Sequence, residues 1–349
     1  MDALFSKFKS YVQELISPIF KFEMKKGALY QKEDLIDLTL NVALMNCYAE
    51  GFAKTLRENK HTPTSETLLD YLKASSVDDI LKTAKIQIDG CVATLKKKGI
   101  RLDKAAIAFD WHDQPYYGSH KTEGVMGTKP KDGTSYAFSY LTVSVITPRK
   151  RLVLAVLPLN TRDGLPQIVL SLLNLMMQYV KNLAYVAFDN GFQDSRLLQA
   201  LLDRNVPFVI PLRDTVKLRK RWRWKHYAKR FSYNTQGVDV DVVEAVDSKG
   251  LQYFLGTNLA GRPKRILKLY KRRWGIETSY RMIGQFYPKT TSNSYVIRVF
   301  YFVLAVLLYN VWVLLNARVK KHVIVVRLKL SCLWCLPFGL TDLEKSPDG

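Results

Sequence analysis

The sequence predicts an α/β fold, a mixed sheet with flanking helices, preceded by an all-helical domain and interrupted by a β-rich insertion. Three observations carry this. Helical stripes run through residues 1–100. Beyond them, short apolar runs and amphipathic segments follow in the order strand, strand, strand, helix, strand, helix, strand, which builds an open sheet covered by helices. Residues 213–260 then break that order with a basic run and two alternating segments, 238–244 and 251–255, which read as antiparallel strands.

Composition narrows the class. A chain of 349 residues at 48% hydrophobic content is too apolar for disorder and long enough for one large core with satellites. Its 53 basic and 31 acidic residues leave a net charge of +22, which points to a polyanionic partner, nucleic acid first and a membrane surface second. Four cysteines are too few for a disulfide scaffold. Cys332 and Cys335 form a C-x-x-C without a second pair, either half a zinc site or two incidental buried thiols. The first residues carry no signal-peptide pattern, so the expected compartment is a reducing one, the cytoplasm, with association to the nucleoid.

Taken in order, Leu4, Phe8, Tyr11, Leu15 and Ile19 mark an amphipathic helix over 2–20, with further stripes over 31–57 and 77–98. The Thr64-Ser65-Glu66-Thr67 run supplies a start signal for a shorter helix between them. A basic helical domain over 1–100 is either a packing unit or a DNA-binding domain. The run 104–109 reads as a strand that ends in Asp110-Trp111-His112-Asp113 and gives way to a polar loop. Runs 135–146 and 152–159 form a hairpin, a helix covers about 166–180, and the strand 184–188 ends in Asp189. Asp194 and Ser195 open the next helix, and 206–211 is the next strand. The first part of the α/β domain is therefore expected over 101–212, the insertion over 213–260, closing helices over 261–318 and a tail over 319–349.

Ala-Phe-Asp recurs at 108–110 and 187–189, each time closing a buried strand. Sites in α/β sheets lie beyond the carboxyl ends of parallel strands, so two parallel neighbours ending in Asp deliver two carboxylates to one place. The chain between them is long enough for the crossover that parallel pairing needs. The plain alternative for any Asp is a turn or helix cap, a role that suits Asp194 and Asp113. His112 reads as local structure, because hard cations disfavour imidazole.

Residues 262–287 read as one amphipathic helix. Ile266, Leu269, Ile276, Tyr280 and Ile283 make its packing face; Tyr270, Arg273, Trp274, Glu277, Arg281 and Gly284 make a second. Glu277, the sole acid, is either a surface partner for Arg273 and Arg281 or the third member of a site with Asp110 and Asp189. In the second case the three acids are catalytic and bind two Mg²⁺ or Mn²⁺ ions, which activate a water and stabilise the leaving oxygen of an in-line displacement at phosphorus. The run containing Lys220, Arg221, Trp222, Arg223 and Trp224 is either a solvated surface or a nucleic-acid contact joining phosphate neutralisation to base stacking. The apolar stretch 295–316 approaches the length of a membrane span, but Arg298, Asn310 and the sheet's need for a covering helix favour a core helix.

Together these residues resemble the DDE insertion-sequence transposases with a ribonuclease H-like catalytic domain, in the group with the signature Tyr-x-x-Arg-x-x-x-Glu-x-x-x-x-x-x-Lys. Tyr270, Arg273 and Glu277 match it; the final Lys falls on Gly284, and Arg281, one turn after Glu277, is the candidate replacement. The Asp110 segment through Pro115-Tyr116-Tyr117-Gly118, and Asp189-x-Gly191-Phe192, are similar to the aspartate motifs of an archaeal-type subgroup. The resemblance spans about 100–318. It implies a ribonuclease H-like fold and metal-dependent cleavage of double-stranded DNA at terminal inverted repeats, after which the freed 3′ hydroxyl attacks a phosphodiester either across the duplex or in target DNA, the step of strand transfer. It also implies a homodimer on paired ends, Tyr270, Arg273 and Arg281 on phosphates, and Trp222 or Trp224 stacked on an extruded base. The alternative is a transposase-derived DNA-binding protein that no longer cuts.

Overall fold

A computed structural model describes residues 12, 14, 16–21, 23–56, 62–147, 151–213, 218, 230–318 and 322–333, the last three by their backbone alone. The chain divides into two compact units. One comprises Met1–Thr83, Met282–Thr291 and Phe300–Gly349, and the other Ala84–Arg281 with Ser292–Val299.

The first unit is helical. Helices α1 (Lys32–Met45), α2 (Ala49–Leu56) and α3 (Ser65–Lys73) precede α4 (Val77–Lys97), which continues into the second unit. The stripe expected as one helix over 31–57 is two helices. Asn46 takes a left-handed φ of 53°, a conformation Asn tolerates better than most residues, and its side-chain amide donates to the carbonyls of Gly284 and Tyr287 at 3.0 and 2.5 Å. At the start of α3 the expected signal works as read: Thr64 Oγ1 accepts from Thr67 N at 3.1 Å.

The second unit is built on a nine-stranded mixed sheet. Strands β1 (Ala106–Pro115), β2 (Val125–Lys131), β3 (Thr134–Ile146) and β4 (Arg151–Leu159) lead through α5 (Leu165–Met176) to β5 (Val186–Ala187), α6 (Ser195–Asp203) and β6 (Phe208–Pro211). Strands β7 (Arg230–Thr235), β8 (Val238–Val246) and β9 (Gln252–Thr257) follow. The order is β2-β3-β1-β5-β6-β9-β8-β7, with β4 on β3 beyond β2.

Three expectations are corrected. The first strand does not end at Asp110, because the 13-residue β3 offers it an antiparallel partner as far as Pro115↔Ala137. The polar loop after it contains β2, whose side chains lie mostly towards solvent and so give no apolar signal. The strands of 213–260 are antiparallel, as expected, but do not interrupt the sheet: β9 pairs antiparallel with β6, from Val209↔Thr257 to Pro211↔Leu255, so they extend it. Their own alternation is visible in β8, where Val238, Val240 and Val242 are buried and Asp239 and Asp241 exposed. The basic and aromatic residues Lys220, Arg221, Trp222, Arg223 and Trp224 lie outside the described residues.

The helix expected over 262–287 is three pieces: α7 (Pro263–Lys271), a 3₁₀ turn (Arg272–Trp274) and α8 (Gly275–Gly284). The tightening falls just before Gly275, a poor helix former whose bare backbone the Arg151 guanidinium lies against. Ile266, Leu267, Tyr270 and Ile276 from this segment seal one core with Ala108, Ala187, Val209, Val243 and Leu255 of the sheet.

Helix α9 (Tyr295–Arg318) is long and apolar enough to cross a membrane, but 89% of its most apolar window is buried inside the protein, as a core helix requires. Its Trp312 Nε1 donates to Val323 O at 2.8 Å, just before α10 (Val325–Leu333). Cys91 is buried, which pushes its thiol up to about 12. Cys335 and the side chain of Cys332 lie outside the described residues.

Candidate active site

Parallel pairing sets the site. Ile107↔Val186 and Ala108↔Ala187 place β1 and β5 side by side, so Asp110 and Asp189 emerge together, each two residues beyond the last parallel pair. Burial differs sharply between them. The Asp110 side chain is 8% exposed, that of Asp189 37% and that of Glu277 69%.

Arg273 gathers all three acids. Its Nη1 donates to Asp110 Oδ2 at 3.3 Å, while Nη2 lies 4.0 Å from Asp189 Oδ1 and 3.9 Å from Glu277 Oε1. The guanidinium is 6% exposed. Its Nε is buried and has no hydrogen-bond partner among the described residues. The 3₁₀ turn places the residue: it brings Arg273 inward under the sheet's carboxyl edge and leaves Arg272 and Trp274 exposed. Tyr270, read as a phosphate contact, is instead 5% exposed within the core, its ring 5.7 Å from the Arg273 guanidinium carbon.

Asp110 titrates far from a normal carboxyl. Burial pushes it up to about 7, against the pull of Arg273; the nearby Asp189 adds to the rise, the Trp111 amide opposes it, and Glu277 raises it further. Of the other predicted residues, Arg281 is exposed on α8, and Gly284 ends that helix with its carbonyl accepting from Asn46. His112 is half-buried; its removal from water lowers its pKa to about 4, and it stacks on Tyr280 with centroids 4.9 Å apart. Tyr280 in turn shares a 2.6 Å hydrogen bond with Thr142.

Asp194 caps α6, as expected, accepting from Arg196 N at 2.8 Å. Asp113 does not cap or turn. It lies within β1, where it accepts from Ser139 Oγ at 2.5 Å and pairs with Arg162 at 3.1 Å.

Sequence reasoning missed a clamp that joins the two aspartate segments. Trp111 stacks on Phe192, centroids 3.9 Å apart and planes 9° from parallel, and Arg162 covers the indole at 4.8 Å. A side chain at Gly191 would meet Trp111 Nε1 at 2.7 Å, so Gly191 is bare because the indole passes over it. The signal was present as a Trp directly after one acid and Gly-Phe shortly after the other.

A hard divalent cation suits these residues by donor chemistry, since all three are carboxylates. Among the described residues, however, no three acids, histidines or cysteines already stand as a metal-binding group. Arg273 occupies the common position, so a cation and the guanidinium would compete for the same oxygens.

A mixed sheet whose parallel centre delivers two buried-edge aspartates, met by a glutamate from a C-terminal helix, defines a ribonuclease H-like fold with an acidic site. The chain belongs to the family described as Transposase DDE domain, which matches residues 101–311. Among solved structures it is similar to the piggyBac transposase in its cryo-EM synaptic complex with hairpin DNA. The TM-score is 0.54 at 13% identity, covering 95% of this chain and 78% of that one, a likeness of fold. No curated protein matches the chain.

Proposed function

We propose that this transposase cuts DNA at the ends of an insertion sequence and transfers the freed strands to target DNA by a cut-and-paste route. Asp110, Asp189 and Glu277 are its catalytic carboxylates. The observation that carries this reading is their convergence on Arg273 at the carboxyl edge of the β1 and β5 pair.

The same carboxylates would hold Mg²⁺ or Mn²⁺, which when bound supplies Lewis-acid stabilisation of charge at the reacting phosphate. Arg273 has two tasks on this reading. Without DNA its single charge offsets part of that of the three acids; with DNA its planar fork grips a backbone phosphate. Leaving the acids for the phosphate frees their oxygens. Tyr270 supports Arg273 from the core side, and Arg281, exposed one turn beyond Glu277, takes the place of the signature Lys that is Gly284 here.

The Tyr-Arg-Glu signature group and its archaeal-type subgroup rest on those spacings and on the Asp110 and Asp189 segments. Lys220, Arg221 and Arg223 bind phosphate, and Trp222 or Trp224 stacks on an extruded base. The partners are double-stranded DNA carrying the terminal repeats, target DNA and a second copy of the chain on the paired end, in the nucleoid. The solved relative's own DNA complex supports the choice of ligand.

The test is Asp189→Asn, which keeps the shape of the side chain. Retained affinity for terminal-repeat DNA with loss of Mg²⁺-dependent nicking is expected. Nicking at the wild-type rate would remove Asp189 from the chemistry.

A further inference from the structure

At the opposite end of the same strands lies an open cavity of about 740 Å³. Its floor is apolar, formed by Ala105, Ala106, Ile146, Ala184 and Tyr185, and its rim is cationic, with Arg101, Lys104, Lys181 and Arg272 against a single acid, Asp103. It surrounds the amino ends of β1 and β5, whereas the carboxylates stand at the carboxyl edge, about 13 Å along β1 at roughly 3.3 Å per residue.

Two features separate this cavity from an ordinary basic surface. Its frame is fixed: Asn182 N donates to Asp103 O at 2.8 Å, Ala184 N to Ala105 O at 3.0 Å, and Tyr185 OH to Leu269 O at 3.1 Å. Its charge is unspent, for among the described residues no carboxylate forms an ion pair with Arg101, Lys104, Lys181 or Arg272. Elsewhere on this unit, cations such as Lys271 and Arg162 are paired, with Asp247 at 2.7 Å and Asp113 at 3.1 Å. Like charges converging on a concave wall repel one another and focus a positive field outward, an arrangement that an arriving anion relieves. A volume of this size admits a nucleotide unit, with the cations on phosphate and the apolar floor under sugar or base.

We propose that this cavity is a second phosphate-binding site, one that holds the backbone of a nucleic acid away from the cutting site. The choice of nucleic acid over a free nucleotide rests on the transposase reading. Arg272 and Arg273 then divide the labour of one 3₁₀ turn, the first facing the distal phosphate and the second the acids.

The experiment uses the full chain and a fluorescent duplex carrying the terminal repeat, with log Kd followed against log salt. Lys104→Glu/Lys181→Glu should lower the slope by about 2, one for each phosphate that a lysine no longer neutralises. Lys129→Glu/Lys249→Glu, two exposed lysines elsewhere on the unit, carries the same change of net charge and should leave the slope near wild type. Lys104→Gln/Lys181→Gln, a gentler pair, should lower the slope likewise if charge reversal harms folding. Equal slopes for the cavity pair and the control pair would overturn the proposal. So would a mononucleotide that binds wild type, loses affinity with the cavity pair and leaves the duplex slope unchanged, since the ligand would then be a free nucleotide. Binding of duplex without any cutting would sink the catalytic reading and leave this site standing.

Discussion

At Asp110 two opposing effects meet on one carboxyl. Removing it from water favours the neutral acid, and the Arg273 guanidinium at 3.3 Å favours the anion; burial wins, leaving a pKa of about 7. The consequence for stability has a definite sign. An unfolded Asp loses its proton near pH 4, whereas the folded one keeps it to about 7, so the folded state binds more protons between those values. Stability contributed by Asp110 is therefore present at low pH and falls as pH rises from about 4 through about 7. Urea unfolding of metal-free wild type and Asp110→Asn across that window should show their difference in stability shifting against wild type as pH rises. A constant difference would contradict the burial argument. Asp110, Asp189, Arg273 and Glu277 are singled out by apolar runs that close in Asp and by helical spacing; the structure brings the four side chains together, although the strand holding Asp110 continues past it. The inward burial of Tyr270 was not legible, because a Tyr three residues before an Arg satisfies a packing face and a binding face equally well.

Among the elements, the two aspartate segments owe their mutual position to more than the short pairing of β1 with β5, which spans only two residue pairs. Trp111 and Phe192 add a stacked contact across the gap, and Phe109 and Phe188 another, with centroids 5.4 Å apart. Truncating Phe192, which is fully buried, removes the first of these and leaves a cavity below the indole. Phe192→Ala should cost about 3–5 kcal/mol in chemical denaturation, the range for a buried aromatic. A loss below about 1 kcal/mol would show that the Asp189 turn is held by its backbone alone. Periodicity revealed α4, and unbroken apolar runs revealed the β3 and β4 hairpin and the core helix α9, because each is long. It failed where non-local partners decide. β1 outruns its apolar stretch because β3 is there to pair with it, β2 lies mostly towards solvent, and the Arg272–Trp274 turn follows from tertiary packing at Gly275.

For the whole molecule, a net charge of +22 is distributed between two uses. Part of it is consumed internally, as at Arg273; part has no ion pair among the described residues, as on the rim of the amino-end cavity, where the proposed second site would use it to attract a polyanion. Family membership covers 101–311, and the fold is similar to that of the piggyBac transposase. The central claim is that Asp110, Asp189 and Glu277 work together on a DNA phosphate. It is tested most directly by incubating DNA that carries the gene's own flanking inverted repeats with the protein and Mg²⁺ or Mn²⁺, and comparing wild type with Glu277→Gln. Cutting at the repeat ends by wild type alone is the predicted result. Equal cutting by both proteins, or binding of the repeats by both without any cutting, would contradict it.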